Sequence, residues 1–332
     1  MANYNKNAGY GRGLTSFVRT QVPTFGNIMV LFNSSDSDEA NYMHAQEVFT
    51  PDPDGLVRFY TSLATAEAAM ESNNNDVLLL DANSTHSLTG ELAISENRKH
   101  FIGMDGGGRM KGQGARVQTA DGTAAISVLH VSGTRNTFRN LKIIQGDNEA
   151  TSLNVLKESG ESSLYQNCQF MHGLATRLGG LTTYDILMSG DSTEFHRCTI
   201  GQSTLARTAG GAGVAFDVIT TAAKSTLWKD CIFHVLTTSA DYEFVRVVAT
   251  SDLHFDHIFI NPVFMAAISD AGSCITVDSA TQSVSGLNAG NVLMVNPATN
   301  ATRLGQASDN DNFKIVGSDG ETTLVGIGLA AT

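Results

Sequence analysis

The run FRNLKI at residues 138–143 returns four more times along this chain, always in the order aromatic, any, polar, apolar, any, apolar. The later copies are YQNCQF at 165–170, FHRCTI at 195–200, WKDCIF at 228–233 and FDHIFI at 255–260. Their first residues lie 27, 30, 33 and 27 positions apart. Repetition at one spacing class indicates a solenoid, because each repeat then packs on an equivalent neighbour.

The repeats consist of short apolar runs divided by Ser, Thr, Gly or Asn, without a helical pattern of about ten residues. This pattern predicts an all-β protein, a right-handed parallel β-helix (β-solenoid) whose coils stack about 4.8 Å apart. Equivalent residues should then form inward-facing ladders. The predicted ladders are Phe138, Tyr165, Phe195, Trp228 and Phe255; Leu141, Cys168, Cys198, Cys231 and Ile258; and Ile143, Phe170, Ile200, Phe233 and Ile260.

The step of three residues from the aromatic position to the next apolar one predicts a bend between two sheets. Asn140 and Asn167 stand at this bend, where Asn tolerates the left-handed backbone conformation, and Arg197, Asp230 and His257 replace Asn in the later copies. The cysteines of the second ladder should be buried thiols, because side chains stacked in parallel do not meet the dihedral angle of a disulfide easily.

The charge of the chain limits its partners. It carries 33 acidic and 21 basic residues, a net charge of −12, which argues against a nucleic-acid partner held by its phosphates. The first residues lack the apolar core of a signal peptide, and no run reaches the roughly 18 apolar residues of a membrane span. We therefore expect synthesis in a cytoplasm and no membrane partner.

Four regions follow from composition and repetition. They are an extended basic N-terminal arm (1–35), a region with a capping helix and the first coils (36–104), the parallel β-helix body (105–265) and a small C-terminal β cap or oligomer contact (266–332). The arm contains Lys6, Arg12 and Arg19 and no acidic residue, so that it is +3 against −15 for the remainder. It is either a frayed terminus or a tether that becomes ordered on an acidic partner surface. In the tail, the apolar runs at 292–295, 313–316 and 323–327 suggest small hairpins.

A search for catalytic residues finds none. Glycoside hydrolysis requires two carboxyl groups about 5–9.5 Å apart, whereas the acidic residues of the coils, such as Asp147 and Glu158, are expected in turns between strands. The nearest match to the Asn-x-Asp of polygalacturonases is 74–76, before the first core strand, and 171–173 lacks the first glycine of Gly-His-Gly. His254, Asp256 and His257 are more typical of a surface strand than of a metal site, so we predict no metal and no cofactor.

The residues at 63–70, 76–80 and 100–104 resemble the beginning of pectin-lyase-like β-helices, in which a short helix caps the open end of the solenoid. The segments 46–55 and 57–60 resemble part of tailed-phage virion proteins with β-helix bodies. The first resemblance covers about residues 57–262. It implies a polysaccharide lyase or hydrolase fold, and the second implies a phage structural protein.

The function predicted from these features is a protein of the virion surface, assembled in the host cytoplasm, that decorates or cements the capsid and performs no chemistry. The arm would bind the major capsid protein or neighbouring virion proteins, and phage β-helices suggest a homotrimer. The capsid-binding residues would be Lys6, Arg12, Phe17, Arg19 and Phe25. The alternative is a tailspike-like polysaccharide depolymerase or a glycan-binding β-helix.

Overall fold

The computed structural model of this chain describes residues 26–33, 39–49, 57–82, 84–104, 114–174, 178, 183–217, 225–239, 242–248, 257–266, 275–277, 287–290, 293–295 and 314–316. These residues include two helices, α1 (Glu39–Phe49) and α2 (Leu63–Ala69), and short strands in three parallel sheets. Within these ranges, no helix is long and apolar enough to cross a membrane.

The strands of each sheet are hydrogen-bonded neighbours in the following spatial order. Sheet A contains β2 (Phe59–Tyr60), β1 (Ile28–Leu31), β3 (Val77–Leu80), β6 (His100–Gly103), β9 (Thr137–Arg139), β12 (Leu164–Gln166), β15 (Thr193–His196), β18 (Thr226–Lys229), β21 (His257–Ile260), β24 (Leu287–Gly290) and β26 (Lys314–Val316). Sheet B contains β4 (Thr85–Leu88), β7 (Ala115–Thr119), β10 (Leu141–Gln145), β13 (Gln169–His172), β16 (Thr199–Arg207), β19 (Ile232–Thr237), β22 (Val263–Ala266) and β25 (Leu293–Val295). Sheet C contains β5 (Leu92–Ile94), β8 (Leu129–Val131), β11 (Asn154–Glu158), β14 (Thr183–Met188), β17 (Gly211–Phe216), β20 (Tyr242–Val247) and β23 (Ile275–Val277).

The chain visits the three sheets in turn, so that β3, β4 and β5 form one coil and each following triple forms the next, up to β21, β22 and β23; after β24 and β25, the last described strand, β26, lies in sheet A. Each strand within a sheet pairs in parallel with its equivalents in the coils before and after it, as β12 does with β9 and β15, and the strands at the sheet ends pair with one neighbour. This arrangement confirms the predicted parallel β-helix. It also explains the sequence repeat, because residues in register on adjacent strands share one environment.

The aromatic ladder inside sheet A is a continuous stack of rings. The ring centroids of Phe138 and Tyr165 are 4.8 Å apart, those of Tyr165 and Phe195 4.7 Å, and those of Phe195 and Trp228 3.9 Å. The stack begins one coil earlier than the repeat suggests, at Phe101, which lies parallel to Phe138. All five side chains are buried, so the ladder forms the middle of the apolar core.

The register of the fifth run differs from the prediction. Trp228 pairs with Phe259 instead of Phe255, and Phe233 pairs with Phe264 instead of Ile260. Ile258 and Ile260 therefore lie on the outer side of sheet A, beside Leu227 and Lys229, and Phe255 lies outside the described residues. The coil is four residues longer than the motif suggests, and this length places two large aromatic rings inside the solenoid.

The bend between sheets A and B has the left-handed backbone that was predicted for Asn140 and Asn167, whose φ angles are 57° and 54°. Arg197 and Asp230 adopt the same conformation, at 53° and 54°. In the next coil this position is held by Asn261, and His257, predicted at the bend, is a buried residue of β21 instead. The bend is thus kept even where a residue other than Asn occupies it.

Two helices close the N-terminal end of the solenoid. Leu63, Ala66 and Met70 at α2 pack on the interior core, as expected for a capping helix. The helix α1 was not predicted, and its Ala45 and Phe49 cover the outer side of the first strands of sheet A.

Parts of the predicted arm and tail lie within the described residues, and in these parts the structure differs from the prediction. Residues Ile28–Leu31, assigned to the arm, form a fully buried strand between β2 and β3. In the tail, β23, β24, β25 and β26 pair in parallel with earlier strands and extend the three sheets, so the predicted hairpins do not form there. Residues 323–327 lie outside the described residues.

Candidate functional site

The corner between sheets B and C is polar on the inside of the solenoid. Gln145 at the end of β10 lies in register with His172 at the end of β13, and the Nε2 of Gln202 in β16 donates to the carbonyl oxygen of His172 at 3.1 Å. Gln145 Nε2 likewise donates to the Asn154 carbonyl at 3.0 Å. Buried backbone groups that leave the sheet ladder at a corner require partners, and these amides supply them.

Within this corner, a carboxylate, an imidazole and a guanidinium meet. Asp185 in β14 accepts through Oδ1 from His172 Nδ1 at 2.9 Å, and Arg207 Nη2 lies 3.6 Å from the same oxygen. All three side chains are almost completely buried. A buried charge requires such pairing, so the three groups must be considered as one unit, the Asp185 network.

Arg207 is fixed from two further sides. Its Nη1 donates to the Thr183 carbonyl at 3.0 Å and also to the Thr183 hydroxyl, and its Cζ lies 4.9 Å from the ring centre of Tyr242 in the next coil. Burial raises the pKa of Tyr242, whose hydroxyl is therefore protonated at neutral pH. The guanidinium is thus held in one orientation against Asp185.

The protonation of His172 follows from its surroundings. Burial lowers the pKa of His172, while the hydrogen bond to Asp185 acts in the opposite direction. The imidazole is therefore neutral at neutral pH, and it donates its Nδ1 proton to Asp185. Asp185 Oδ2, the second oxygen, is buried and has no hydrogen-bond partner among the described residues.

A bulge in β16 opens a pocket beside this network. The register between β16 and β19 shifts between Gln202 and Arg207, so the intervening residues leave the ladder. Gly201 precedes the bulge with a φ of 87°, and a Cβ on it would lie 2.1 Å from the His234 carbonyl and 3.4 Å from Asp185 Oδ2. Only glycine fits here, and its missing side chain leaves space in front of the free carboxylate oxygen.

This β16 pocket is partly open to solvent, and its cavity volume of about 10 Å³ gives room for about one water molecule. Its lining residues are His172, Leu178, Asp185, Gly201, Gln202, Leu205, Arg207, His234 and Val235. Of the acidic residues in the described ranges, Asp185 alone lines it. The Asp185 carboxylate could act as a base or nucleophile, and the Arg207 guanidinium could stabilise a negative charge that develops during a reaction. Leucine and valine side chains form an apolar side of the pocket.

A second buried acid lies in the next corner. Glu158, expected in a turn, is an inward residue of β11, where it accepts from the Tyr165 hydroxyl and from Gly160 N at 2.8 Å. Burial raises the pKa of Glu158 to about 8. Its contacts connect sheet C to the aromatic ladder of sheet A. We therefore interpret Glu158 as a structural element.

The other acids considered in the sequence are used within the fold. Asp76, from the Asn-x-Asp match, is buried and accepts from Asn27 N at 2.7 Å and Glu71 N at 2.8 Å. Asp147 lies in a turn as predicted, and although its burial acts to raise its pKa, hydrogen bonds from Glu149 N, the Thr123 hydroxyl and other donors lower it to about 2. Both carboxylates stabilise the connections around them.

Other predicted residues lie in the core or outside the described residues. Cys168, Cys198 and Cys231 are buried free thiols, and each sulfur lies 3.3–3.4 Å from a carbonyl oxygen of the preceding coil. In the described ranges, no three His, Cys, Asp or Glu side chains come together as ligands for one metal ion. His254 and Asp256 lie outside these ranges, as do all the residues predicted to bind the capsid (Lys6, Arg12, Phe17, Arg19 and Phe25).

Neither a protein-family model nor a curated protein sequence matches this chain. A pectin methylesterase of Aspergillus niger superposes on it with a TM-score of 0.52 at 11% identity, over 87% of this chain and 83% of the other. The two proteins share a fold. A pectin methylesterase of Erwinia chrysanthemi gives a TM-score of 0.44 at 13% identity, over 86% and 93% of the two chains.

The comparison contradicts the prediction that this chain is not an enzyme. That prediction depended on the failure to assemble two carboxylates on the surface of the coils. The Aspergillus niger protein that shares the fold is an enzyme, a pectin methylesterase. At this identity the likeness shows the fold alone.

The Asp185 network was missed because its members are not close in the sequence pattern. One signal was present: His172 stands two residues after the inward Phe170, so strand alternation places it inside. The long spacing of 33 residues between Phe195 and Trp228 also marks the coil that contains the β16 bulge. Neither signal shows that Asp185 and Arg207 meet His172, because that contact depends on how the corner closes.

Proposed function

We propose that this chain hydrolyses an ester group on a polysaccharide, with the β16 pocket as its active site. The observation that carries the proposal is the Asp185 network, in which His172 and Arg207 hold one carboxylate oxygen and leave the other facing the pocket. A parallel β-helix shared with a pectin methylesterase supports the substrate class.

The size of the pocket fits the attacking water molecule of a hydrolysis. Its cavity volume of about 10 Å³ is close to what one water molecule needs, and it lies far below the roughly 300 Å³ at which pockets for drug-sized ligands begin. The carbonyl group of a methyl or acetyl ester would lie at the mouth of the pocket, next to this water molecule, while the sugar ring stays on the outer surface. Glycoside hydrolysis would require a second carboxyl group across the scissile bond, and Asp185 is the one acid among the described lining residues.

The chemistry would use water and three side chains. Asp185 Oδ2 takes a proton from a water molecule while the water oxygen adds to the ester carbonyl carbon. The resulting oxyanion is stabilised by the Arg207 guanidinium. The tetrahedral intermediate then expels the alcohol, which receives the proton from Oδ2, and the acid product remains. His172 keeps Asp185 in position through its Nδ1–H.

Replacing Asp185 with asparagine tests this proposal. Asp185→Asn keeps an oxygen that accepts from His172 but removes the base, so we expect kcat for an acetylated or methyl-esterified polysaccharide to fall about 10²–10⁴-fold. Release of acetate or methanol measures the rate, and thermal unfolding shows how far the variant remains folded. The matched control is Asp121→Asn in an exposed turn, which should retain full activity.

Two results would contradict the proposal. One is a wild-type protein that releases neither acetate nor methanol from any such polysaccharide or from p-nitrophenyl acetate. The other is a folded Asp185→Asn protein with undiminished kcat. In either case the Asp185 network would be a structural support of the corner.

The phage origin, the capsid-surface location, the virion partner and the homotrimer remain proposals from the sequence. An ester hydrolase on a virion would act on the polysaccharide of a cell surface, which agrees with the tailspike-like alternative. Copurification with virions at a fixed copy number supports this location, and sedimentation measures the oligomeric state. Absence from purified particles would oppose it. Deleting residues 1–25 tests the arm without removing β1, which truncation at residue 35 would destroy.

A further inference from the structure

A group of cations lies on the outer side of the bend between sheets A and B. Its members, named here the cationic strip, are Arg116, Arg139, Lys142, Arg197 and Lys229. Register connects them, because Arg139, Gln166, His196 and Lys229 follow one another across sheet A, and Arg116, Lys142 and Gln169 follow one another across sheet B. In a chain with a net charge of −12, such a concentration requires an explanation.

The cations are placed next to one another at a cost to stability. Lys142 pairs directly with Arg116 on the adjacent strand, and like charges in this position repel. Burial lowers the pKa of Lys142, and the Arg116 charge lowers it further. Burial also lowers the pKa of Arg139, to which Arg197 contributes in the same direction. The fold therefore keeps a local repulsion that an anionic partner would relieve.

Two carboxylates near the strip, those of Glu194 and Asp230, contact groups other than its cations. Glu194 Oε2 contacts His196 Nε2 at 2.7 Å, and the Asp230 carboxylate accepts from Asn261 Nδ2 at 2.8 Å. In the part of the chain that the structure describes, no ion pair joins Arg139, Lys142, Arg197 or Lys229 to an acid. Their charges are available to a ligand.

The groups between the cations indicate which anion is bound. Gln166 and Gln169 lie in register beside Arg139 and Lys142, and amides are suited to sugar hydroxyl groups. Proteins that bind single-stranded nucleic acids commonly stack the bases on exposed aromatic rings, whereas the aromatic ladder of these coils is buried. Cations and amides without exposed rings fit a polysaccharide that carries carboxylates.

One strand of sheet B runs from the cationic strip toward the proposed active site. Gln169 begins β13 and His172 ends it, so one strand connects the strip to the β16 pocket. We propose that the cationic strip binds an acidic polysaccharide and presents its ester groups to this pocket. The inference rests on the proposed function and names its substrate class.

Binding and hydrolysis can be measured separately. The strip variant combines three substitutions in one protein: Arg139→Gln, Lys142→Gln and Arg197→Gln. The control protein loses three cations outside the strip, through Arg98→Gln, Arg135→Gln and Lys157→Gln. Both variants change the net charge equally. The probes are polygalacturonate and hyaluronate, with dextran as a neutral polysaccharide and double-stranded DNA as another polyanion. Turnover of p-nitrophenyl acetate reports on the pocket without the strip.

We expect the wild type and the control to bind the acidic polysaccharides at low salt and to lose affinity as salt rises. The strip variant should bind at least about tenfold more weakly, because three contacts of the kind that release counterions are lost. Its turnover of p-nitrophenyl acetate should stay at the wild-type rate. Equal loss in the control, equal binding of dextran, or tighter binding of DNA would overturn the inference. The proposed function is tested by turnover alone. Loss of small-ester turnover in Asp185→Asn with intact polysaccharide binding would support it, and absence of turnover in the wild type would contradict it; neither result changes the inference on binding.

Discussion

Cys198→Asp is expected to prevent stable folding at neutral pH. The Cys198 side chain is fully buried between Cys168 and Cys231 inside the solenoid, and its thiol lies 3.4 Å from the Tyr165 carbonyl oxygen. A carboxylate at this position would face a carbonyl oxygen instead of a donor and would be removed from water. Such a substitution belongs to the rare class that costs more than about 4 kcal/mol.

Two control variants separate the buried charge from a change of shape. Cys198→Ser keeps a donor toward the Tyr165 carbonyl and should lower stability only moderately. Arg197→Asp introduces the same acid one residue earlier, at the exposed bend where Asp tolerates the left-handed backbone, and should remain folded. Circular dichroism and thermal unfolding measure all three. Near-wild-type stability of Cys198→Asp would mean that the side chain is not inside.

Glu158 is expected to make the protein less stable as pH rises from about 4.5 to about 8. Its pKa is about 8 in the folded chain and 4.5 as an ordinary glutamate, so the unfolded chain releases the proton first. The contribution of Glu158 to the free energy of unfolding is fully present below the unfolded pKa of 4.5, and it is lost as the pH rises through the folded pKa of about 8. At about 1.4 kcal/mol per pH unit, the loss is of the order of 4–5 kcal/mol.

Glu158→Gln should remove this dependence. The amide resembles the protonated acid, and it can accept from Gly160 N while its NH2 group faces the Tyr165 oxygen. Above pH 8 the variant should therefore be more stable than the wild type by several kcal/mol, and near pH 4.5 the two should be similar. Urea unfolding at each pH measures the difference. Parallel pH profiles for the two proteins would show that Glu158 does not titrate in this way.

The comparison with Glu158→Gln is needed because histidines act in the opposite direction. Burial lowers the pKa of His100 and of His257 to about 4. Since an unfolded histidine takes up a proton near pH 6.5, these groups lower the stability of the fold as pH falls from 6.5 to 4. Both proteins contain them, so their effect cancels in the difference.

The fold could be predicted from the sequence because stacking repeats the same environment in every coil. Equivalent positions in successive coils have the same surroundings and therefore carry similar residues, as the aromatic ladder shows at Phe138, Tyr165, Phe195 and Trp228. The register of the fifth run could not be predicted, since His257 and Asn261 offer two polar positions for the bend, and the length of the loop decides between them.

The candidate site was harder to predict than the fold. A repeat shows which residues lie above one another, but the Asp185 network joins different sheets and different coils. His172 and Asp185 meet across a corner, and Arg207 reaches them only because the β16 bulge adds residues to its coil. The bulge occurs in one coil, so it produces no sequence repeat from which the contact could be predicted.

Trp228 gives the solenoid a built-in spectroscopic probe. It is the sole tryptophan of the chain, it is fully buried on the ring of Phe195, and its Nε1 donates to the Thr226 hydroxyl at 2.9 Å. Its fluorescence should therefore be blue-shifted in the native protein and move to longer wavelength when water enters the middle coils. Fraying at either end would leave the emission unchanged, so a single optical signal distinguishes loss of the terminal turns from collapse of the centre.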